Sequence, residues 1–143
     1  MTTHAHDPSA SFRTPVFWGI VFGGINLAVP LVFWWLDAAT AYAITIVLIA
    51  AVYIGFAVAD GRPKVIVIET CVASAFVVLA ATAITETAWL LVIAFFALGV
   101  KDLWQHHTHF VANTRWWPPF CLTVDWVVAA VLAVAIATGA TFR

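Results

Sequence analysis

The sequence predicts an all-α fold: a polytopic transmembrane helical bundle of five spans, with four spans plus an interfacial helix as the alternative. Three observations lead there. Hydrophobic residues make up 64% of the 143 and charged residues 9%, and the mean hydropathy is +1.04, more apolar surface than one soluble core of this size can bury. Apolar runs repeatedly approach the about 20 residues that cross a hydrocarbon layer of roughly 30 Å. Finally, the segments between these runs are short, which leaves no room for a separate soluble domain.

Residues 1–15 read as a cytoplasmic tail and 16–143 as one transmembrane domain. The tail lacks the short apolar stretch and small-residue cleavage site of a secretory signal, so the first span is expected to be retained. The first span covers 16–36, between Thr14-Pro15 and Asp37, with Pro30 bending its far half. Within it Gly19 and Gly23, and Gly24 and Ala28 one position on, have the spacing that lets a second backbone approach closely. The second span, 41–59, ends in Asp60-Gly61-Arg62-Pro63-Lys64, a hydrophilic turn that stops one helix and permits the next. The third covers 65–84, and Thr85-Glu86-Thr87 separates it from the fourth, 88–104. A polar-aromatic loop, 105–119, runs to Pro118-Pro119, where any helix must end. The fifth span, 120–140, carries Ala129, Ala133 and Ala137 as another close-packing stripe.

Basic residues set the orientation. With the N-terminus in the cytoplasm, Arg13, Arg62, Lys64, Lys101 and Arg115 all lie inside and Arg143 outside. The expected location is thus a cell membrane, an inner membrane where there are two, with a cytoplasmic N-terminus and an external C-terminus. Trp18, Trp104, Trp116 and Trp117 then mark the inner interface, Trp34, Trp35 and Trp89 the outer one, and Trp126 sits deeper. Cys71 and Cys121, far apart and both within apolar runs, read as buried small hydrophobes without a redox role.

This topology gathers the polar residues in the inner leaflet. Glu69 lies about 7 Å above Lys64 at 1.5 Å per residue, and Asp125 about as far above Pro119. A carboxylate inside a membrane helix is costly and is either partnered or functional. Glu69 has Lys64 or Arg62 as candidate partners, and Asp125 has Arg115 or a tryptophan indole. If the fourth helix continues past Trp104, Asp102, His106, His109 and Asn113 share one face at spacings of four, three and four. Asp102, His106 and His109, completed by Glu69 or Asp125, have the donor types and spacing to hold a divalent metal such as zinc, iron or copper. Alternatively His106, His107 and His109 meet lipid phosphates at the inner interface, with Trp104, Trp116 and Trp117 as anchors, or act as a pH sensor, while Glu69, Asp125, Arg115 and Asn113 make up a further polar site. Thr2-Thr3-His4 would add a square-planar copper site at a processed N-terminus.

Six Lys and Arg, singly or in pairs, form no stripe that could follow a nucleic-acid backbone. No GxSxG, phosphate-binding glycine loop or repeat of broken helices is present. The leading expectation is a small membrane protein that works by association, as an accessory or assembly subunit of a larger membrane complex or as a homo-oligomer, with the lipid bilayer and a membrane-protein partner as its surroundings. The alternative is a membrane enzyme or binding protein that uses a His/Asp/Glu metal or lipid-headgroup site at the cytoplasmic face.

Overall fold

A computed structural model describes residues 8–112 and 114–142 of the chain, and all its regular structure is helical. The elements are α1 (Pro8–Asn26), α2 (Val29–Val32), α3 (Ala38–Asp60), α4 (Pro63–Thr85), α5 (Trp89–Thr108) and α6 (Trp117–Ala137). Of these, α3, α4 and α6 are long and apolar enough to cross a membrane. The first third of α1 is polar, and the last two turns of α5 carry Lys101, Asp102, Gln105, His106 and His107. Much of the apolar surface faces outward: Phe17, Ile25, Leu31, Trp34, Val78 and Val134 are all more than half exposed. Such a surface, on a chain with three helices long and apolar enough to cross a membrane, suits an apolar solvent.

The expected first span is divided. The helix begins earlier, at Pro8, and carries Pro15 inside it; it stops at Asn26 and resumes for one turn as α2. Pro30 has no N–H for the Asn26 carbonyl, and Leu31 N–H turns to Ala28 O at 2.9 Å, leaving the Leu27 carbonyl free. The Tyr42 hydroxyl donates to that carbonyl at 3.0 Å, so the break is compensated from α3. Asp37 caps α3, accepting from Thr40 N–H at 2.9 Å and from the Thr40 hydroxyl at 2.7 Å. These two donors hold the exposed Asp37 carboxyl below its ordinary pKa.

Gly61, in the left-handed conformation at φ 80°, reverses the chain between α3 and α4, which pack as an antiparallel hairpin. Their shared core is built from alanines, Ala39, Ala43 and Ala50 on α3 and Ala73, Ala80 and Ala83 on α4. Small side chains let the two backbones approach closely enough for dispersion to hold them together in lipid. α5 leans on α4 and α6, and α1 packs mainly on α6. At that seam a Cβ on Gly19 would lie 2.8 Å from the Phe120 carbonyl, and one on Gly23 would lie 2.9 Å from Val127 Cβ, while Gly24 faces open space. The Gly19/Gly23 pair is therefore a packing face and the pair begun by Gly24 is not. The alanine stripe of α6 is only partly used, since Ala129 is buried and Ala137 exposed. Cys71 is exposed and Cys121 half-buried, so they are not the two buried cysteines expected.

Opposite ends of the bundle hold the two ends of the described chain. Phe12 on α1 packs against His106 at the end of α5. Phe142 packs against Tyr42, and its carbonyl accepts from Ala39 N–H at 3.0 Å, at the start of α3.

Candidate functional site: a buried acidic centre

Four helices bring Tyr53, Glu69, Lys101, Asp102 and Asp125 together near the end of the bundle where α3 finishes and α4 begins. Each arrives there by helical spacing. Glu69 occupies the same buried stripe of α4 as Val65, Ala73 and Phe76. Asp102 and Gln105 continue the buried stripe of Leu91, Phe95 and Leu98 on α5, and Asp125 follows Leu122 on α6. Glu69, Asp102 and Asp125 are each 1% exposed.

Among the described residues the interior holds one cation for these carboxyls. Lys101 Nζ lies 2.9 Å from Glu69 Oε2, with 9% of the lysine side chain exposed. The approach is charge to charge, since its angles miss those of a hydrogen bond. The same ammonium donates to Gln105 Oε1 at 2.9 Å and sits 3.5 Å from the centre of the Tyr53 ring. Gln105 in turn donates to the Thr114 hydroxyl at 3.4 Å, which donates to the Val111 carbonyl at 3.0 Å. A polar chain thus runs from the 109–116 loop to Glu69. The Tyr53 hydroxyl donates to Asp102 Oδ1, while Asp102 Oδ2 and both oxygens of Asp125 have no hydrogen-bond partner among the described residues.

Several sequence expectations change here. Glu69 pairs with Lys101, not with Lys64 or Arg62: Lys64 is exposed, and Arg62 grips Asp60 at 2.6 and 2.8 Å. That grip also ties down the loop, because Arg62 donates to the Phe110 carbonyl at 2.6 Å and Asp60 accepts from Ala112 N–H at 2.7 Å. Lys101, counted among the cytoplasmic basic residues, turns into the interior instead. Asp125 receives neither Arg115, which is exposed, nor an indole, since Trp126 donates to the Phe96 carbonyl at 3.2 Å and stacks on the Phe96 ring.

The histidines separate from the carboxylates. α5 does run past Trp104, but it ends at Thr108, and His109 adopts the left-handed conformation at φ 51° with its N–H on Gln105 O. Phe110 against Trp104 and Val111 buried against Ala57 and Val65 draw the chain off the helix axis there. Asp102 is held inside on Tyr53, while His106 is half-buried against Phe12. Among the described residues no group of three or more His, Cys, Asp or Glu side chains is placed to hold a metal. The expected face of Asp102, His106 and His109 is therefore not assembled, and Asn113 and the tail residues Thr2, Thr3 and His4 lie outside the described residues. Burial, and then the neighbouring His107 and His109, hold His106 below its ordinary pKa. It lines an end hollow of about 530 Å³ with Gln105, His109, Thr114, Arg115 and Trp116.

A second hollow lies deeper. Between α1 and α3, floored by α6, is a cleft of about 230 Å³ whose lining includes Phe22, Asn26, Tyr53, Trp117, Phe120 and Asp125. Asn26 Oδ1 is also buried without a partner among the described residues.

Tyr53, Lys101, Gln105 and Asn26 did not emerge from the sequence as site residues. One signal was available: Lys101 and Gln105 are one turn apart, beside Asp102, in an otherwise apolar helix. Comparison with known protein families, characterised proteins and solved structures finds no match.

Proposed function

We propose that the chain is a small polytopic membrane protein that crosses the bilayer five times with its N-terminus in the cytoplasm, and that it works as a binding protein through the acidic centre in its inner half. One observation carries the reading: three carboxyls, each 1% exposed, share an interior in which Lys101 is the one buried cation among the described residues. Burying further negative charge without a partner costs several kcal/mol per ion, on the order of the whole stability of a small bundle. The centre therefore takes up positive charge, a proton or a cation.

Support for five crossings comes from the helix lengths and the ends of the chain. α1 and α5, at 19 and 20 residues, are about 28–30 Å long at 1.5 Å per residue, long enough to cross with the polar end of each, the start of α1 and the end of α5, in the headgroup region. The described chain ends lie at opposite ends of the bundle, as an odd number of crossings requires. Arg13, Arg62, Lys64 and Arg115, all exposed, favour a cytoplasmic N-terminal end even after Lys101 is removed from the count.

The test is a panel of cations acting on the protein in lipid nanodiscs. Thermal unfolding should respond to protons or to at least one inorganic or organic cation, and the response should shrink in Glu69→Gln or Asp125→Asn. Unfolding midpoints indifferent to every cation and to pH between 5 and 8 (a range of about three units around neutrality) would remove the reading.

Association as an accessory subunit or homo-oligomer is a second reading. It is favoured by an apolar groove between α5 and α6, floored by Ala129, Ala130 and Ala133 beside Phe96 and Trp126, where small residues would admit another helix.

A further inference from the structure

The cleft between α1 and α3 has a composition that narrows what its ligand can be. Its walls are apolar and aromatic, from Phe22, Tyr53, Trp117 and Phe120. The buried nitrogen and oxygen atoms it holds without a hydrogen-bond partner among the described residues are all oxygens, Asn26 Oδ1 and the two of Asp125, and with Asp125 ionised all three are acceptors; the Trp117 indole and the Cys121 thiol also stand at the lining. Lys101 is engaged elsewhere, on Glu69 and Gln105. An acceptor left unmatched in an apolar interior is destabilising, and more so when charged, so what fits here is a donor carrying positive charge.

We infer that this cleft is a binding site for a protonated primary or secondary amine with an apolar flank, whose N–H groups meet Asp125 and Asn26 while its hydrocarbon lies among the aromatic rings.

The alternatives are poorer matches. Calcium takes about 6–8 oxygen ligands and zinc about four N, S or O ligands, whereas the cleft offers one carboxylate and one amide oxygen. A quaternary ammonium would gain from the aromatic faces but has no N–H for the three bare acceptors. At about 230 Å³ the cleft is smaller than the roughly 300–1,000 Å³ typical of sites for drug-sized ligands, so it holds a small amine or the amine end of a longer molecule. Entry is from the side. Phe22 and Val52, 49% and 48% exposed, stand at the lining of the cleft on α1 and α3, and under the five-crossing reading they face lipid. An amphiphilic amine arriving through the bilayer and an aminated lipid headgroup present the same chemistry to Asp125.

The inference rests on the acidic-centre reading and specifies its ligand. It is tested with the full chain in phosphatidylcholine nanodiscs, with 2-phenylethylamine as the probe, and isothermal titration and thermal unfolding as readouts. Saturable binding is expected, at least tenfold weaker in Asp125→Asn and severalfold weaker in Asn26→Ala. The neutral 2-phenylethanol and the N,N,N-trimethylated amine should each bind severalfold more weakly than the probe. Val52→Trp, which narrows the lining without touching a charge, should reduce binding while the near-ultraviolet circular dichroism of the fold is retained. Competition by added phosphatidylethanolamine assigns the site to a headgroup amine, and its absence to a free amphiphile; either supports the site.

Equal binding of amine and alcohol, or unchanged affinity in a folded Asp125→Asn, overturns it. So does a lack of saturable amine binding, with two distinguishable consequences. If protons or inorganic cations still shift unfolding through Glu69 or Asp125, only the amine site falls; if no cation does, the acidic-centre reading falls with it.

Discussion

With Lys101 held 2.9 Å from Glu69 in an interior where both side chains are at most 9% exposed, removing the ammonium leaves a buried carboxylate with nothing positive beside it. Lys101→Met should therefore destabilise the bundle by about 3 kcal/mol or more, the usual cost of stripping one partner from a buried pair. Glu69→Gln in the same chain should restore over half of that loss, because two neutral side chains of similar shape need no counter-charge. Reversible unfolding in mixed micelles gives both numbers; a double variant no more stable than Lys101→Met would place the role of Lys101 elsewhere, on Gln105 or the Tyr53 ring. The residue scale also explains why the centre sits at this depth. Lys101 has a side chain long enough to stay partnered within the protein, and Gln105 and Thr114 extend its polar contacts toward the loop.

Helix seams are decided by small residues. At the α1–α6 seam the space for a Cβ on Gly23 is filled by Val127, and on Gly19 by the Phe120 carbonyl and Thr123. Backbone cannot yield as a flexible side chain can. Gly23→Leu should force α1 off α6 at a cost of about 1–3 kcal/mol, whereas Gly24→Leu, facing open space, should stay within about 0.5 kcal/mol of the parent. Thermal unfolding of the two variants side by side checks this; equal losses would mean that the seam is not where these glycines act. Since α1 also forms one wall of the amine cleft, Gly23→Leu should widen that cleft, which ties the seam to the site.

Across the whole molecule the governing constraint is a solvent with no hydrogen bonds to offer. It explains why the break after Asn26 is answered by the Tyr42 hydroxyl, and why large side chains face outward while alanines fill the α3–α4 core. The five-crossing proposal carries a definite topology. A reporter fused after Arg143 should be active only on the external side, and one inserted at Gly61 should read as cytoplasmic. Finding both on the same face would exclude five crossings with a cytoplasmic N-terminus.

The helical class and most of the element order were legible in the sequence, because apolar runs of membrane-spanning length, interrupted by Gly61, Pro63 and Pro118-Pro119, leave few other structures in which the backbone can satisfy itself. Glu69, Asp102 and Asp125 also stood out, since a carboxylate in an apolar run is conspicuous by its cost. Their partners did not. Lys101 counted in the sequence as one more cytoplasmic basic residue, and only the packing of α5 against α4 and α6 turns its side chain inward. The supposed metal face failed for a similar reason: helical spacing places Asp102 and His106 on one side, but contacts distant in sequence, of Phe110 with Arg62 and of Val111 with Ala57 and Val65, end the helix before His109 joins them. Sequence determined which groups the membrane makes expensive. Tertiary structure decided which of them are paired and which, as at Asp125 and Asn26, are left facing a cleft, because pairing depends on distances between helices that no single helix specifies.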